Sequence, residues 1–182
     1  MDTLSNLYDT FFDWQLIWDT VPALITVGLP NTLILALSSG VIGTIIGLGL
    51  AVAGMSRSRW LRWPARMYTD VFRGLPAAVV ILLIGLGFGP TLTQLTGSRS
   101  PFPLGIAALS LMAAAYFGEI FRSGIQSVDS GQLEASRALG FSYRRSMALV
   151  VVPQGIRRVL PAIVNQFISQ IKDSSLIYFL GF

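Results

Sequence analysis

The stretch Leu33–Ala53, LILALSSGVIGTIIGLGLAVA, decides the fold class of this chain. It contains no charged residue and lies inside a longer uncharged run from Thr20 to Ser56. A helix of about 20 apolar residues crosses the roughly 30 Å hydrocarbon core of a bilayer. The stretch therefore predicts a first membrane-spanning helix.

Three further hydrophobic segments follow. Leu75–Leu95 lies in an uncharged run, and so does Ser100–Gly118, which opens with prolines suited to a first helical turn. Val159–Ile171 is shorter than a full span, but its flanking basic side chains can reach the interfaces. The sequence therefore predicts an all-α integral membrane protein with four recognisable hydrophobic segments.

Composition excludes several other classes. Of the 182 residues, 53% are hydrophobic and 12% are charged, which is about half the charged share of a soluble domain. Cysteine and histidine are absent, which excludes disulfides, Cys/His metal sites and Ser-His-Asp catalysis. The net charge of +4 does not indicate nucleic acid as a partner, because the charges lie between long uncharged runs.

The arginines predict the orientation in the membrane. The connections after the first and third spans are rich in arginine, whereas the connection after the second holds only Arg99. The positive-inside rule makes the first and third connections cytoplasmic and the N-terminus external. Residues 1–20 are then an external N-terminal segment, and residues 21–182 form the transmembrane domain. Five apolar residues of this segment, four of them aromatic, form either a short interfacial helix or an ordinary aromatic belt before the first span: Phe11, Phe12, Trp14, Ile17 and Trp18.

The first span carries small residues four apart, which allow close packing against another helix: Ser39, Gly43, Gly47 and Ala51. The alternative is that glycine is simply common in membrane helices. No span core carries a charged residue, which argues against a self-powered proton pump. Glu119 and Arg122 can pair at the end of the third span. The chain also has no Gly-x4-Gly-Lys-Ser/Thr loop, so any ATP that drives it binds another chain.

Polar residues form two adjacent stripes on the fourth hydrophobic segment. Asn165, Ser169 and Lys172 form one stripe. Gln166, Gln170 and Asp173 form the other, and Ser174 and Ser175 follow them. Such side chains need partners in lipid. They indicate either a solute pathway or a set of interhelical hydrogen bonds with an interfacial Lys172–Asp173 pair.

The segment from Ser123 to Pro153 is predicted to lie in the cytoplasm. Asp129-Ser130-Gly131-Gln132 has the form of a capping box, so a helix is expected over Ser130–Leu139, ended by Gly140. Ser142 is expected to cap a second short helix that runs to Val150, with Pro153 stopping or restarting the chain. A plain amphipathic loop next to the membrane is the alternative.

This segment resembles the EAA loop of bacterial ATP-binding-cassette importer permeases, E-A-A-x3-G-x9-I-x-L-P. Glu134-Ala135-Ser136 and Gly140 take the first positions, and Val150, Val152 and Pro153 take the last. The flanking motifs are similar to those of the polar-amino-acid (histidine/glutamine-type) permease family: Glu119–Ile125, Gly131–Ala135, Arg73-Gly74-Leu75-Pro76, Pro153-Gln154 and Lys172-Asp173-Ser174-Ser175-Leu176. The resemblance covers roughly Gly28 to Phe182.

The resemblance implies a permease subunit, not an enzyme, in a bacterial cytoplasmic membrane. Its EAA loop would form a coupling helix that docks on a cytoplasmic ATPase dimer, and ATP and Mg would bind that dimer rather than this chain. A second permease subunit, identical or related, and an extracellular or periplasmic amino-acid-binding protein would be its other partners, and polar or charged amino acids its substrates. The implied coupling residues are Glu134, Ala135, Ser136, Gly140 and Pro153. The implied pathway residues are Asn165, Gln166, Ser169, Lys172, Asp173, Ser174 and Ser175.

The family fold has five transmembrane helices, and the last would follow Phe182. We expect either that the sequence is truncated or that this helix has been lost, so a non-transporting or regulatory permease fragment is one alternative function. An unrelated intramembrane enzyme is another, with Glu119, Asp129, Glu134 and Asp173 as its available carboxylates. A passive channel is a third, although no span carries an acidic residue that could form a selectivity ring.

Overall fold

The computed structural model describes the backbone of residues 12–180 and the side chains of residues 12–177. Every regular element in that range is helical. The helices are α1 (Trp14–Ala23), α2 (Leu29–Gly54), α3 (Arg59–Gly74), α4 (Ala77–Thr96), α5 (Phe102–Gln126), α6 (Ser130–Ala138), α7 (Tyr143–Ser146) and α8 (Val152–Ser174). A π-helical segment, Leu24–Gly28, joins α1 to α2, another, Met147–Val151, joins α7 to α8, and a 3₁₀ segment, Ser175–Leu180, follows α8.

Four helical stretches of the described chain are long and apolar enough to cross a membrane: Trp14–Gly54, Ala77–Thr96, Phe102–Gln126 and Tyr143–Ile177. The first and fourth contain Leu33–Ala53 and Val159–Ile171 completely, and the second and third begin two residues after the predicted starts at Leu75 and Ser100. The fourth is longer than the sequence pattern indicated, because the helix extends beyond Val159 and Ile171 at both ends.

Residues 12–34 form one structural unit. Asp13 caps α1 by accepting the amide hydrogen of Leu16 at 3.0 Å. The π segment begins two residues after Pro22, whose missing amide hydrogen interrupts the α-helical ladder. Helix α1 continues without a break into α2. Phe11 and the rest of residues 1–11 lie outside the described residues, and the position of the N-terminal segment on the outer surface stays a prediction.

Residues 35–180 belong to the second unit, in which α5 packs along α8, and α3 and α4 pack against α5. The core of this unit contains Phe117, Ile81 and Leu109, whose side chains are fully buried. Phe117 also lies 5.4 Å from Phe167 of α8, measured between ring centroids. Helix α5 is thus the central helix of the unit.

The small-residue stripe of the first span packs against α5, as one of the two alternatives predicted. A Cβ on Gly47 would lie 2.8 Å from Phe117 Cβ and 2.9 Å from the amide nitrogen of Gly118. A Cβ on Gly43 would overlap Ala113. The helix backbones approach so closely that no side chain fits between them.

The connection between the first two spans contains a helix where a loop was expected from the sequence. Residues Arg59–Gly74 form α3, and Pro64 lies near its start. The apolar residues of this segment recur at helical spacing, which is typical of an amphipathic helix. The arginines between them made the segment look like a charged loop.

Candidate functional site

Helix α6 begins as predicted. Asp129 is its N-cap and accepts the amide hydrogen of Gly131 on Oδ1 at 2.7 Å. The Gln132 side chain does not complete a capping box in this way, since its Oε1 accepts a hydrogen bond from Gln154 Nε2 at 3.1 Å. The glutamine therefore links α6 to α8.

Helix α6 ends in a Schellman motif. Gly140 has a φ of 85°, a left-handed conformation that favours glycine. The amide of Gly140 donates to the Arg137 carbonyl at 3.0 Å, and the amide of Phe141 donates to the Ser136 carbonyl at 3.2 Å. The predicted glycine stop is confirmed, and it turns the chain sharply into α7.

A small apolar cluster holds this turn in place. Ile125, Val128 and Val151 are its buried members, and Leu133 and Met147 pack against them. Ser136 is buried on the same side of α6, and its Oγ donates to the Leu133 carbonyl at 2.8 Å. Glu134 and Ala135 lie on the opposite, exposed side. The EAA positions therefore divide into two exposed residues and one supporting residue.

Two exposed apolar side chains beside Gly140 were missed from the sequence. Leu139 is 80% exposed and Tyr143 is 54% exposed. An apolar residue directly before a terminating glycine is the signal that could have identified Leu139. Like Glu134, these residues are exposed around the turn that Gly140 makes.

The predicted end of the second short helix at Val150 was wrong, whereas Pro153 lies in the first turn of α8, in agreement with a restart, which was one of its two predicted roles. Ser142 caps α7, accepting the amide hydrogen of Arg145 at 3.4 Å, but the helix does not stop at Val150. It continues through the π segment, in which the Val152 amide donates to the Met147 carbonyl, and then into α8. Because Pro153 lies in the first turn of α8, its missing amide hydrogen is tolerated. The loop therefore joins one short helix, α6, to one long helix.

The two polar stripes of α8 have different environments. Asn165, Ser169 and Lys172 are exposed, whereas Gln166 and Asp173 are partly buried. Ser174 is buried and donates to the Ile171 carbonyl at 2.7 Å, and the exposed Ser175 donates to the Lys172 carbonyl at 2.7 Å.

Gln170 is the interhelical contact in this region. It is 2% exposed, and its Nε2 donates to Ser39 Oγ at 2.8 Å and to the Leu109 carbonyl at 3.3 Å. Its Oε1 has no hydrogen-bond partner among the described residues. Lys172 and Asp173, both described, form no ion pair. The hydrogen-bond alternative thus holds at Gln170, while three polar side chains of the other stripe face outward.

A charged cluster lies at the end of the third span. The Arg122 Nε donates to Glu119 Oε2 at 2.9 Å, which confirms the expected pair, and Arg73 Nη1 lies 4.0 Å from Glu119 Oε1. Arg73 also lies 5.8 Å from the centroid of the Tyr116 ring. Arg66 and Asp70 of α3 line the same hollow, which has a volume of about 270 Å³. The role of Arg73 was missed because its partner belongs to a distant helix.

Among the described residues there is no group of three or more His, Cys, Asp or Glu side chains that could hold a metal ion. The described geometry provides an exposed, hydrogen-bonded turn between α6 and α7 and a polar face on α8. Residues 43–182 match the family described as "Binding-protein-dependent transport system inner membrane component". The chain belongs to this family. It is therefore a multi-pass membrane component of a transport system and not itself an enzyme.

Individual relatives agree with this assignment. The chain is 37% identical over 175 residues to the probable amino-acid ABC transporter permease protein YckA of Bacillus subtilis (strain 168), covering 94% of this chain and 74% of that protein. It is 40% identical over 174 residues to the octopine transport system permease protein OccM of Rhizobium radiobacter, covering 91% of this chain and 69% of that protein.

The same architecture occurs in a solved structure described as "Crystal structure of an amino acid ABC transporter with histidines". The TM-score is 0.80 at 37% identity, and the match covers 92% of this chain and 76% of that one. An inward-facing MetNI methionine ABC transporter shares the fold at 20% identity, with a TM-score of 0.66, over 80% of this chain and 69% of that one. This family member therefore has the helical arrangement of permease subunits.

Proposed function

We propose that this permease moves polar or charged amino acids into the cell, driven by ATP hydrolysis on a separate subunit. The observation that carries the proposal is the exposed turn at Glu134 and Gly140, which is capped, ended by a left-handed glycine and supported by a buried cluster. A rigid protruding helix can transmit movement of a bound partner to the long helix α8 that follows it. Relatives whose names specify arginine or glutamate/aspartate transport support the substrate class.

The proposed coupling residues have distinct tasks. Glu134 and Ala135 contact the groove of the ATPase, and the exposed Leu139 adds apolar area to the same contact. Ser136 and Gly140 set the shape of the turn, since one is buried and the other has a positive φ. Pro153, which is half-buried in the first turn of α8, fixes the start of that helix.

The proposed substrate pathway lies along α8. Asn165, Ser169 and Lys172 are exposed and can meet a passing solute, and an ammonium group at Lys172 suits a substrate carboxylate. Gln166, Asp173 and Ser175 complete the polar face on its flanks. Ser174 is buried, so it does not meet the solute and instead helps to hold the end of α8 in position.

The proposed partners follow from the same arrangement. A cytoplasmic ATPase dimer, with ATP and Mg, takes the coupling turn. A second permease subunit, identical or related, completes the pathway, and an extracellular or periplasmic binding protein delivers the amino acid. The arginine distribution orients the chain in a bacterial cytoplasmic membrane with the N-terminus outside.

A pull-down with candidate ATPase subunits tests the coupling proposal. Glu134→Lys should lose ATPase binding, because a reversed charge enters the contact. Asp19→Lys is the matched control, since Asp19 is also an exposed carboxylate but belongs to the N-terminal helix, and it should bind normally. Retained binding by Glu134→Lys would contradict the docking role.

Glycine variants provide a second arm of this test. Gly140→Ala should weaken ATPase binding, because a left-handed backbone costs a non-glycine residue roughly 1–2 kcal/mol. A Cβ at Gly140 has open space around it, so the strain comes from the backbone alone. Gly87→Ala, also in open space but with an ordinary helical backbone, should bind like the wild type.

A further inference from the structure

Helix α3 places its side chains on three faces. Ala65 and Thr69 are buried on one face, and Tyr68 on the same side donates its hydroxyl to the Leu111 carbonyl of α5 at 2.8 Å. This face fixes the helix to the membrane domain. The remaining side chains of the helix form an apolar strip and a basic row.

The second face is an exposed apolar strip. Trp60 is 91% exposed, Trp63 69%, Met67 53% and Val71 47%. Their spacing of three or four residues keeps them on one side of the helix. Tryptophan is enriched where a protein meets the boundary between headgroups and acyl chains, because its ring is apolar at one end and polar at the other.

The third face is a basic row beside this strip. It is formed by Arg59, Arg62, Arg66 and Arg73 at helical spacing. Arg59, Arg62 and Arg66 surround Trp63 and line an open hollow of about 480 Å³. Of the four, only Arg73 lies within 4.0 Å of a described carboxylate, that of Glu119. Arg59, Arg62 and Arg66 form no ion pair with a described carboxylate, although Arg66 also lines the hollow that contains Asp70 and Glu119. These three guanidinium groups can therefore bind an external anion.

We propose that α3 is an interfacial helix that binds the headgroup phosphate of an anionic phospholipid in the cytoplasmic leaflet. Arg59, Arg62 and Arg66 bind the phosphate, and Trp60 and Trp63 enter the headgroup boundary beside it. Guanidinium groups suit phosphate because they donate two parallel hydrogen bonds.

Two observations favour a lipid over a soluble anion or an acidic protein. Helix α3 connects the ends of two predicted spans, α2 and α4, on the side that the arginine count makes cytoplasmic. The apolar strip also runs beside the basic row for the length of the helix, which is the pattern of helices that lie in a membrane surface. A soluble anion would not require the strip.

Fluorescence quenching tests this proposal in the full-length chain reconstituted in vesicles. The chain has four tryptophans, so Trp14→Phe with Trp18→Phe leaves Trp60 and Trp63 as reporters. Vesicles contain brominated phosphatidylglycerol or brominated phosphatidylcholine at the same mole fraction in a phosphatidylcholine background. Brominated phosphatidylglycerol should quench the tryptophan fluorescence at least about twofold more than brominated phosphatidylcholine does.

Variants identify the residues responsible. Replacing Arg59, Arg62 and Arg66 by Gln should remove the excess quenching, and replacing them by Lys should retain part of it. The matched control replaces three exposed arginines elsewhere, Arg99, Arg144 and Arg145, by Gln, and it should keep the excess. If the triple Gln variant fails to insert, Arg62→Gln alone should reduce the excess.

Three results would overturn the proposal. The first is equal quenching by the two brominated lipids, or an excess that survives in the triple Gln variant. The second is that inorganic phosphate removes the excess quenching while sodium chloride at equal ionic strength does not, which would indicate a site for a soluble anion. The third is complete shielding of both tryptophans by an added ATPase subunit, which indicates a protein interface.

Discussion

Gln170 of α8 donates its side-chain amide to Ser39 Oγ of α2 at 2.8 Å, inside the buried interior of the membrane domain. Ser39 Oγ in turn donates to the Leu35 carbonyl of its own helix at 2.6 Å. The pair joins the first predicted span to the last. A polar contact between buried side chains fixes the relative register of two helices that apolar packing alone would leave less defined.

Ser39→Ala should destabilise the chain by about 1 kcal/mol, because it removes the shorter of the two hydrogen bonds that the buried Gln170 amide donates and leaves only the 3.3 Å bond to the Leu109 carbonyl. The double variant Ser39→Ala/Gln170→Leu should cost less than the sum of the single changes. Thermal unfolding in detergent measures all three, with Ser169→Ala on the exposed face of α8 as the control. Strict additivity would show that the two side chains do not interact.

Gly47→Val should destabilise the chain by about 1–3 kcal/mol or prevent folding, because an added side chain would collide with the backbone of α5. The amide nitrogen of Gly118 and the Ala114 carbonyl oxygen lie 2.9 and 3.0 Å from the added Cβ position. Gly49→Val is a matched control two residues away, where no atom lies within 4 Å. Unfolding in increasing denaturing detergent measures both, and similar losses would contradict the close α2–α5 packing.

Tyr68→Phe should change the pH dependence of stability. Burial raises the pKa of Tyr68 to about 12, so the neutral hydroxyl is favoured in the folded chain. The resulting stabilisation is fully present below about pH 10, the value of an unperturbed tyrosine, and is lost as pH rises towards 12. Unfolding measured from pH 9 to 12 should show a steeper loss in wild type than in Tyr68→Phe.

The exposed Tyr143 provides the control for this measurement. Tyr143→Phe should follow the wild-type pH profile. An identical profile for Tyr68→Phe and wild type would contradict the buried hydroxyl contact with Leu111.

Lys172→Met should raise the KM for amino-acid uptake without loss of ATPase binding, because Lys172 is proposed to meet the substrate carboxylate. Arg157→Gln, an exposed cation at the other end of α8, is the control and should leave the KM unchanged. Transport assays in proteoliposomes with the binding protein and a radiolabelled amino acid measure this. An unchanged KM for Lys172→Met would remove Lys172 from the pathway.

The spans could be predicted from the sequence because a bilayer demands long uncharged runs, and Leu33–Ala53 lies within a helix as expected. The coupling turn could be predicted because Asp129 and Gly140 act through local backbone chemistry. Such signals depend on a few neighbouring residues. They need no knowledge of tertiary packing.

The remaining features depend on partners that are distant in the sequence. The two polar stripes on α8 are equivalent in the sequence. They differ in the structure because Gln170 points inward and donates to Ser39 of another helix. The second short helix was expected to end at Val150 because the sequence gives no sign of the π segment that continues it into α8. Helix α3 was not predicted, because its arginines were used to assign the membrane topology and were not placed on the face of a helix.

The most direct test of the central claim is amino-acid import per ATP hydrolysed in the reconstituted complex, compared among wild type, Glu134→Lys and Asp19→Lys. We expect wild type and Asp19→Lys to import amino acid with ATP hydrolysis, and Glu134→Lys to lose import although it still inserts into the membrane. Import by Glu134→Lys at the wild-type ratio would contradict the claim that this turn couples the permease to its ATPase.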